Sequence, residues 1–222
     1  MHLWPKQLLK LAIQFFSPLF LLTSCSEAKN DHRYQWQKIA ARNEEKSLDR
    51  PLVYQALLAK QWKKIPIPFD QSIYDSKLAV CQFLIEETKP ELSLFLHTFP
   101  FNKGQMRPSP QAQIERWKRQ FEAATSLEME VTPFSCNGFC GLKLIAEGKM
   151  KGKPVQMIAY AMQLAEEHRR EIELSLSPLD RYKLADYTIK IVGPLLDLQR
   201  HKEDIEKFAQ SFEFIDELTT TL

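Results

Sequence analysis

Glu128-Met-Glu-Val-Thr-Pro-Phe-Ser-Cys-Asn-Gly-Phe-Cys-Gly-Leu-Lys-Leu-Ile-Ala-Glu147, followed closely by Val155-Gln-Met-Ile-Ala-Tyr-Ala-Met-Gln-Leu164, decides how this chain folds. Asn137-Gly138 is the strongest short hairpin signal, so Glu128–Phe134 and Gly141–Glu147 read as two antiparallel strands around it. A second turn at Lys151-Gly152 leads into Val155–Leu164, which is apolar on both faces and therefore predicts a strand covered on both sides.

Working outward, Leu78–Glu86 and Leu92–Phe99 have the same two-sided apolar character, with Lys89-Pro90 as the turn between them. Tyr187, Ile189 and Ile191 alternate in a last strand that stops at Gly193-Pro194. Ser109-Pro110 supplies an N-cap hydroxyl and a proline at the first helical position. Ile114, Trp117, Phe121 and Ala124 follow at helical spacing, which sends Trp117 inward and leaves Glu115, Arg116, Lys118 and Arg119 on other faces. A final helix runs to about Phe212, burying Leu195, Leu198, Ile205, Phe208, Ala209 and Phe212. The polar stretch Glu166–Arg181 is ambiguous. Hairpin-linked strands with one inserted and one terminal helix predict an α/β (α+β) fold. Its mostly antiparallel sheet is covered by helices on both faces, a three-layer α/β/α sandwich.

The N-terminal part has a different character. Lys6 and Lys10 precede an uncharged, mostly apolar run from Leu11 to Leu22, which Leu22-Thr-Ser-Cys25 closes. A basic start, a short apolar run and small residues before a cut describe a secretory signal; the run is shorter than the roughly 20 residues that span a bilayer. Leu22–Cys25 resembles the lipobox of bacterial lipoproteins. That resemblance implies cleavage before Cys25, lipidation of its thiol and amine (with palmitate among the acyl chains), and a membrane as partner. Ser26, in place of an Asp, leans the location towards the outer membrane. An ordinary cleaved signal with an incidental Cys25 is the alternative. Residues 25–60 then read as a polar tether, helical from about Tyr34 to Glu45, with a short second helix that Pro51 starts and Leu52, Tyr54, Leu57 and Leu58 face. Trp62 to Pro68, with its two prolines, predicts an extended lead-in to a domain over residues 61–222.

Without residues 1–24 the chain keeps 198 of its 222 residues, with 28 bases against 28 acids. That neutral balance argues against a nucleic-acid binder.

Four pieces resemble the Mog/PsbP-type α/β/α sandwich family. They are the Trp62…Pro66 lead-in, Phe99-Pro-Phe-Asn-Lys-Gly104 before a helix holding Glu115-Arg116-Trp117, the strand ending Gly193-Pro194, and Phe208…Ser211-Phe212. Lipoprotein-like members have Asn-Arg-Trp where this chain has Glu115-Arg116-Trp117, so that match is partial. The fold hosts unrelated functions, and the resemblance implies no activity, cofactor or metal.

Cys136-Asn-Gly-Phe-Cys140 is the one local constellation with chemical promise. Across the hairpin turn the two thiols predict a structural disulfide; two unpaired thiols, or a redox or metal role, are the alternatives. Cys81 in its apolar strand reads as a small buried hydrophobe. His32, His97, His168 and His201 have no metal-ligand spacing, and no phosphate loop or nucleophile elbow is present. The expectation is a non-enzymatic, membrane-tethered protein of the cell envelope, without cofactor, that binds an envelope protein. The rival is a thiol–disulfide or ligand-handling enzyme using Cys136 and Cys140.

Overall fold

The computed structural model describes residues 32–41, 51–65, 79–85, 91–101, 107–122, 128–175 and 177–216. The signal segment, Cys25, Pro66, Pro68, residues 102–104 and Ala124 lie outside them.

The hairpin reading holds. Strands β6 (Glu128–Cys136) and β7 (Phe139–Met150) pair antiparallel, and β7 continues into β8 (Lys153–Leu164). Asn137 (φ 41°) and Gly138 (φ 85°) occupy left-handed backbone, the two-residue turn that matches strand twist. The other strands are β3 (Trp62–Ile65), β4 (Cys81–Ile85), β5 (Leu92–Pro100) and β9 (Ala185–Gly193). They complete a seven-stranded sheet of order β3-β4-β5-β9-β8-β7-β6, antiparallel at every pairing.

Alternation along β8 divides the core. Ile158, Tyr160, Met162 and Leu164 face one side, while Met157, Ala159 and Ala161 face the other. On the second side lies α1 (Pro110–Lys118), whose buried Ile114 and Trp117, with Phe121 beyond its end, pack against β7 and β8. Its start is as expected, with Ser109 Oγ accepting from Ala112 N at 3.1 Å. On the first side, α3 (Leu195–Arg200) and α4 (Lys202–Gln210) contribute Leu198, Ile205, Phe208 and Ala209. The single terminal helix expected there is broken at His201, and Leu195 is only half-buried.

Two expectations are corrected. Residues 34–40 and 52–59 form neither a tether nor helices; they are strands β1 (Tyr34–Ala40) and β2 (Leu52–Ala59). With β10 (Glu213–Phe214) they make a second sheet of order β1-β2-β10. Ile39, Tyr54, Ala56 and Leu58 of that sheet join the same core as α4. The domain therefore begins by Tyr34, and the layer over this face is helix and sheet together, not helix alone. The polar stretch after β8 becomes α2 (Glu166–Leu174), which buries no residue and is laced by Glu166–Arg169 and Glu166–Arg170 pairs at 2.7 and 3.2 Å.

Both edges of the large sheet are protected against further pairing. On β3, Lys63 and Lys64 are exposed. On β6, Pro133 lies opposite Leu142, the fourth pair out from the turn. Counting out from a two-residue turn, this is a position whose nitrogen points away from β7, so a donor is missing at the open edge.

Candidate functional site

The hairpin tip that carries the two cysteines is docked against its surroundings. Asn137 Nδ2 donates to Phe212 O at 3.1 Å and Gln210 O at 3.3 Å, and Ala165 N donates to Gly138 O at 2.9 Å. The imidazole of His168 lies over Gly138 so closely that a Cβ there would sit 2.9 Å from Cδ2.

The disulfide expected between Cys136 and Cys140 is not formed; both thiols are free. Register explains it. Because the loop has two residues, Cys136 pairs with Phe139, and Cys140 pairs with Ser135. Side chains alternate across a strand, so Cys136 and Cys140 project to opposite faces. This geometry also removes the basis for a redox couple between them.

Each thiol has its own environment. Cys136 Sγ is 3.3 Å from Tyr187 Oη and 3.5 Å from Ala209 O. Burial raises its pKa, and the Tyr187 hydrogen bond only partly opposes this. A protonated, half-buried thiol is neither a nucleophile nor a metal ligand without a base to ionise it. Beside it, the buried Tyr160 hydroxyl has no hydrogen-bond partner among the described residues. Its ring packs edge-on to Phe134 at 4.9 Å, and Lys143 pairs with Glu206 at 2.6 Å close by. Cys81 is the small buried hydrophobe that the sequence suggested, with its thiol pushed up to about 12 by burial. Cys140 is exposed. In native protein an alkylating reagent should therefore label Cys140 fastest and leave Cys81 untouched until the chain unfolds. Peptide mapping by mass spectrometry reads this order, and prompt labelling of Cys81 would contradict the packing.

His97 stacks on Phe99 at 6.5 Å, His168 lies 3.3 Å from Glu171, and buried His201 lies 3.8 Å from Asp204. Among the described residues no three His, Cys, Asp or Glu side chains gather as a metal site. Trp117 is core, and Arg116 and Arg119 are exposed. Lys190 is half-buried near α1, its pKa lowered by burial and then by Arg116.

Two arrangements escaped sequence reading. Arg107 clamps buried Asp186 through Nε at 3.0 Å and a second nitrogen at 2.5 Å, and lies over Phe101 at 4.3 Å. Trp36, placed in the supposed tether, is an exposed aromatic on β1. Tyr34, Trp36 and Lys38 stand at the two-residue spacing of a strand, which the sequence reading took for part of a helix.

The folded part is thus a mixed α+β protein, mostly antiparallel, with few helices. No protein-family model matches the chain, and no curated protein matches its sequence. Two solved structures show a distant likeness. The solution structure of cyanobacterial PsbP (CyanoP) from Synechocystis sp. PCC 6803 has a TM-score of 0.48 at 10% identity, covering 87% of this chain and 99% of that one. LpqN, involved in cell envelope biogenesis of Mycobacterium tuberculosis, has a TM-score of 0.48 at 8% identity, covering 83% and 92%. A likeness of this degree assigns neither a family nor an activity.

Proposed function

We propose that this chain is a non-enzymatic lipoprotein of the bacterial cell envelope, held in a membrane by acyl chains on Cys25 and binding an envelope protein through its folded domain. The observation that carries this reading is Leu22-Thr-Ser-Cys25 placed directly after a short apolar run with a basic start. Ser26 favours the outer membrane. Within the same reading the domain is a Mog/PsbP-type α/β/α sandwich. That assignment is supported by α1 on one face of the large sheet and α3 and α4 on the other.

The test is mass analysis of the mature protein together with in-cell crosslinking. A diacylglyceryl-modified, N-acylated Cys25 is expected, together with a reproducible crosslinked partner that is lost when Cys25→Ala releases the chain from the membrane. An unmodified Cys25 at the mature terminus sinks the anchor; an acylated protein that never crosslinks to another protein sinks the binding role.

A further inference from the structure

Helix α1 keeps its charges on separate flanks. With about 3.6 residues per turn, Gln111, Glu115 and Lys118 fall on one side of the buried pair Ile114 and Trp117, and Gln113 and Arg116 fall on the other. The first flank is neutralised within itself. Glu115 accepts from Lys118 Nζ at 2.6 Å and from Gln111 Nε2 at 3.2 Å. Glu122, beyond the helix end, accepts from Gly152 N in the β7–β8 turn at 2.5 Å.

The second flank holds no acid and faces β9. Gln120, one turn past Arg116, accepts from Lys190 Nζ at 3.5 Å. Lys190 stands on β9 between Phe95 of β5 and Ala159 of β8. Burial holds its amine below the usual lysine range, and the nearby Arg116 guanidinium lowers it further. Among the described residues neither Lys190 nor Arg116 has an ion-pair partner. Strand alternation explains the lack. Asp186, Thr188, Lys190 and Val192 share the α1 side of the sheet with Met157, Ala159 and Ala161 of β8 and with Ser93, Phe95, His97 and Phe99 of β5. The single acid in that set is Asp186, and Arg107 already holds it. Glu91 lies before the start of β5, four residues from Phe95.

A half-buried ammonium beside a guanidinium, with one long hydrogen bond to an amide oxygen, is a pair of like charges without a counter-charge. An anion between them relieves the repulsion and favours both charged forms. The parts suit a phosphate group. The guanidinium fork offers two parallel N–H donors to two phosphate oxygens, and the ammonium is a compact point charge for a third. Gln120 turns its oxygen to Lys190, which leaves its amide N–H groups free to donate. Half-buried Phe95, next to Lys190, offers an apolar ring to the body of an ester.

We infer that Arg116, Lys190 and Gln120, where the second flank of α1 meets β9, form a binding site for a phosphate group, carried by a small phosphate ester or by a phospholipid headgroup. The site stands whether or not Cys25 is lipidated.

The test is a titration of the full-length, isotope-labelled protein with phenyl phosphate and, separately, with dihexanoylphosphatidylglycerol kept monomeric, followed by NMR at constant ionic strength. Saturable shifts are expected at the Arg116 Nε–H, the Gln120 amide and the Lys190 side chain. The Lys190 amine should titrate at higher pH when the site is filled, since an anion favours its charged form. Arg116→Gln and Lys190→Gln should each weaken binding about tenfold, the loss of one charge-assisted hydrogen bond. Lys151→Gln, in the β7–β8 turn, should leave it unchanged. Saturation by phenyl phosphate alone identifies a free phosphate ester, saturation by the lipid alone identifies a headgroup, and either supports the site, as does saturation by both. Shifts that rise linearly and are matched by sodium chloride overturn it, as do shifts that persist at the same strength in Arg116→Gln. Arg116 is exposed, so that variant remains decisive even if Lys190→Gln fails to fold.

Discussion

Phe212→Ala is expected to lower stability by about 4 kcal/mol, in the range for deleting a buried aromatic from a packed core. Phe212 is fully buried just after α4 and joins three parts of the fold. Its ring stacks on Tyr54 of the small sheet at 5.1 Å and meets Tyr187 of β9 at 4.2 Å and Phe139 of β7 at 6.0 Å. Its carbonyl also accepts the Asn137 side chain from the hairpin turn. Truncation thus opens a cavity where two sheets and a hairpin meet. For a chain of this length, thermal unfolding should shift down by roughly 10 °C. A shift of one or two degrees would mean that the small sheet is not packed as described. Phe212→Leu, which keeps much of the volume, should recover more than half of the loss.

The second large effect concerns charge. Asp186→Ala should cost about 3 kcal/mol, because breaking a buried pair from one side leaves the other member without a partner. The carboxylate accepts two guanidinium contacts from Arg107 and the backbone N–H of Leu164 at 2.9 Å. Arg107 in turn donates to Leu164 O at 3.0 Å. One buried acid thus ties the end of β8, the start of β9 and the segment leading into α1. Arg107 keeps a quarter of its side chain in water, which holds the cost below that of a fully enclosed charge. Replacing both partners, Arg107→Met with Asp186→Leu, should destabilise less than Asp186→Ala alone. Equilibrium denaturation of the variants reads the difference, and equal losses in the single and double variants would show that Arg107 is already solvated.

What the sequence disclosed follows from where each signal originates. Strands β8 and β9 were legible because both their faces are buried, and β4 and β5 because every second residue is buried, which writes an apolar run into Val155–Leu164 and the alternation Leu92, Leu94, Leu96 into β5. The β6–β7 turn was legible because Asn137-Gly138 suits left-handed backbone. Strands β1 and β2 were not. Tyr-Gln-Trp-Gln-Lys-Ile sits in polar surroundings, and Leu52, Tyr54, Leu57 and Leu58 fit one helical face as well as a strand. What makes them strands is the register Tyr34↔Ala59 and a third strand far along the chain. The cysteine pair was misjudged for a simpler reason. Proximity in sequence suggested a bridge, but strand alternation decides which side each thiol takes, and an even separation across a two-residue turn puts them on opposite sides. Asp186 and Arg107 are 79 residues apart, and nothing local marks either as the other's partner.

The small sheet also sets a timetable for the growing chain. Its central strand, β2, must wait for β10, and the bond from Gln55 to Glu213 spans 158 residues. Synthesis at roughly 5–20 residues per second makes that wait about 8–30 s. A lone two-stranded hairpin is marginal in water, so Val53, Tyr54 and Leu58 stay uncovered over that interval. A chain in this condition remains threadable and open to chaperones, and its first strands are among the last to become secure.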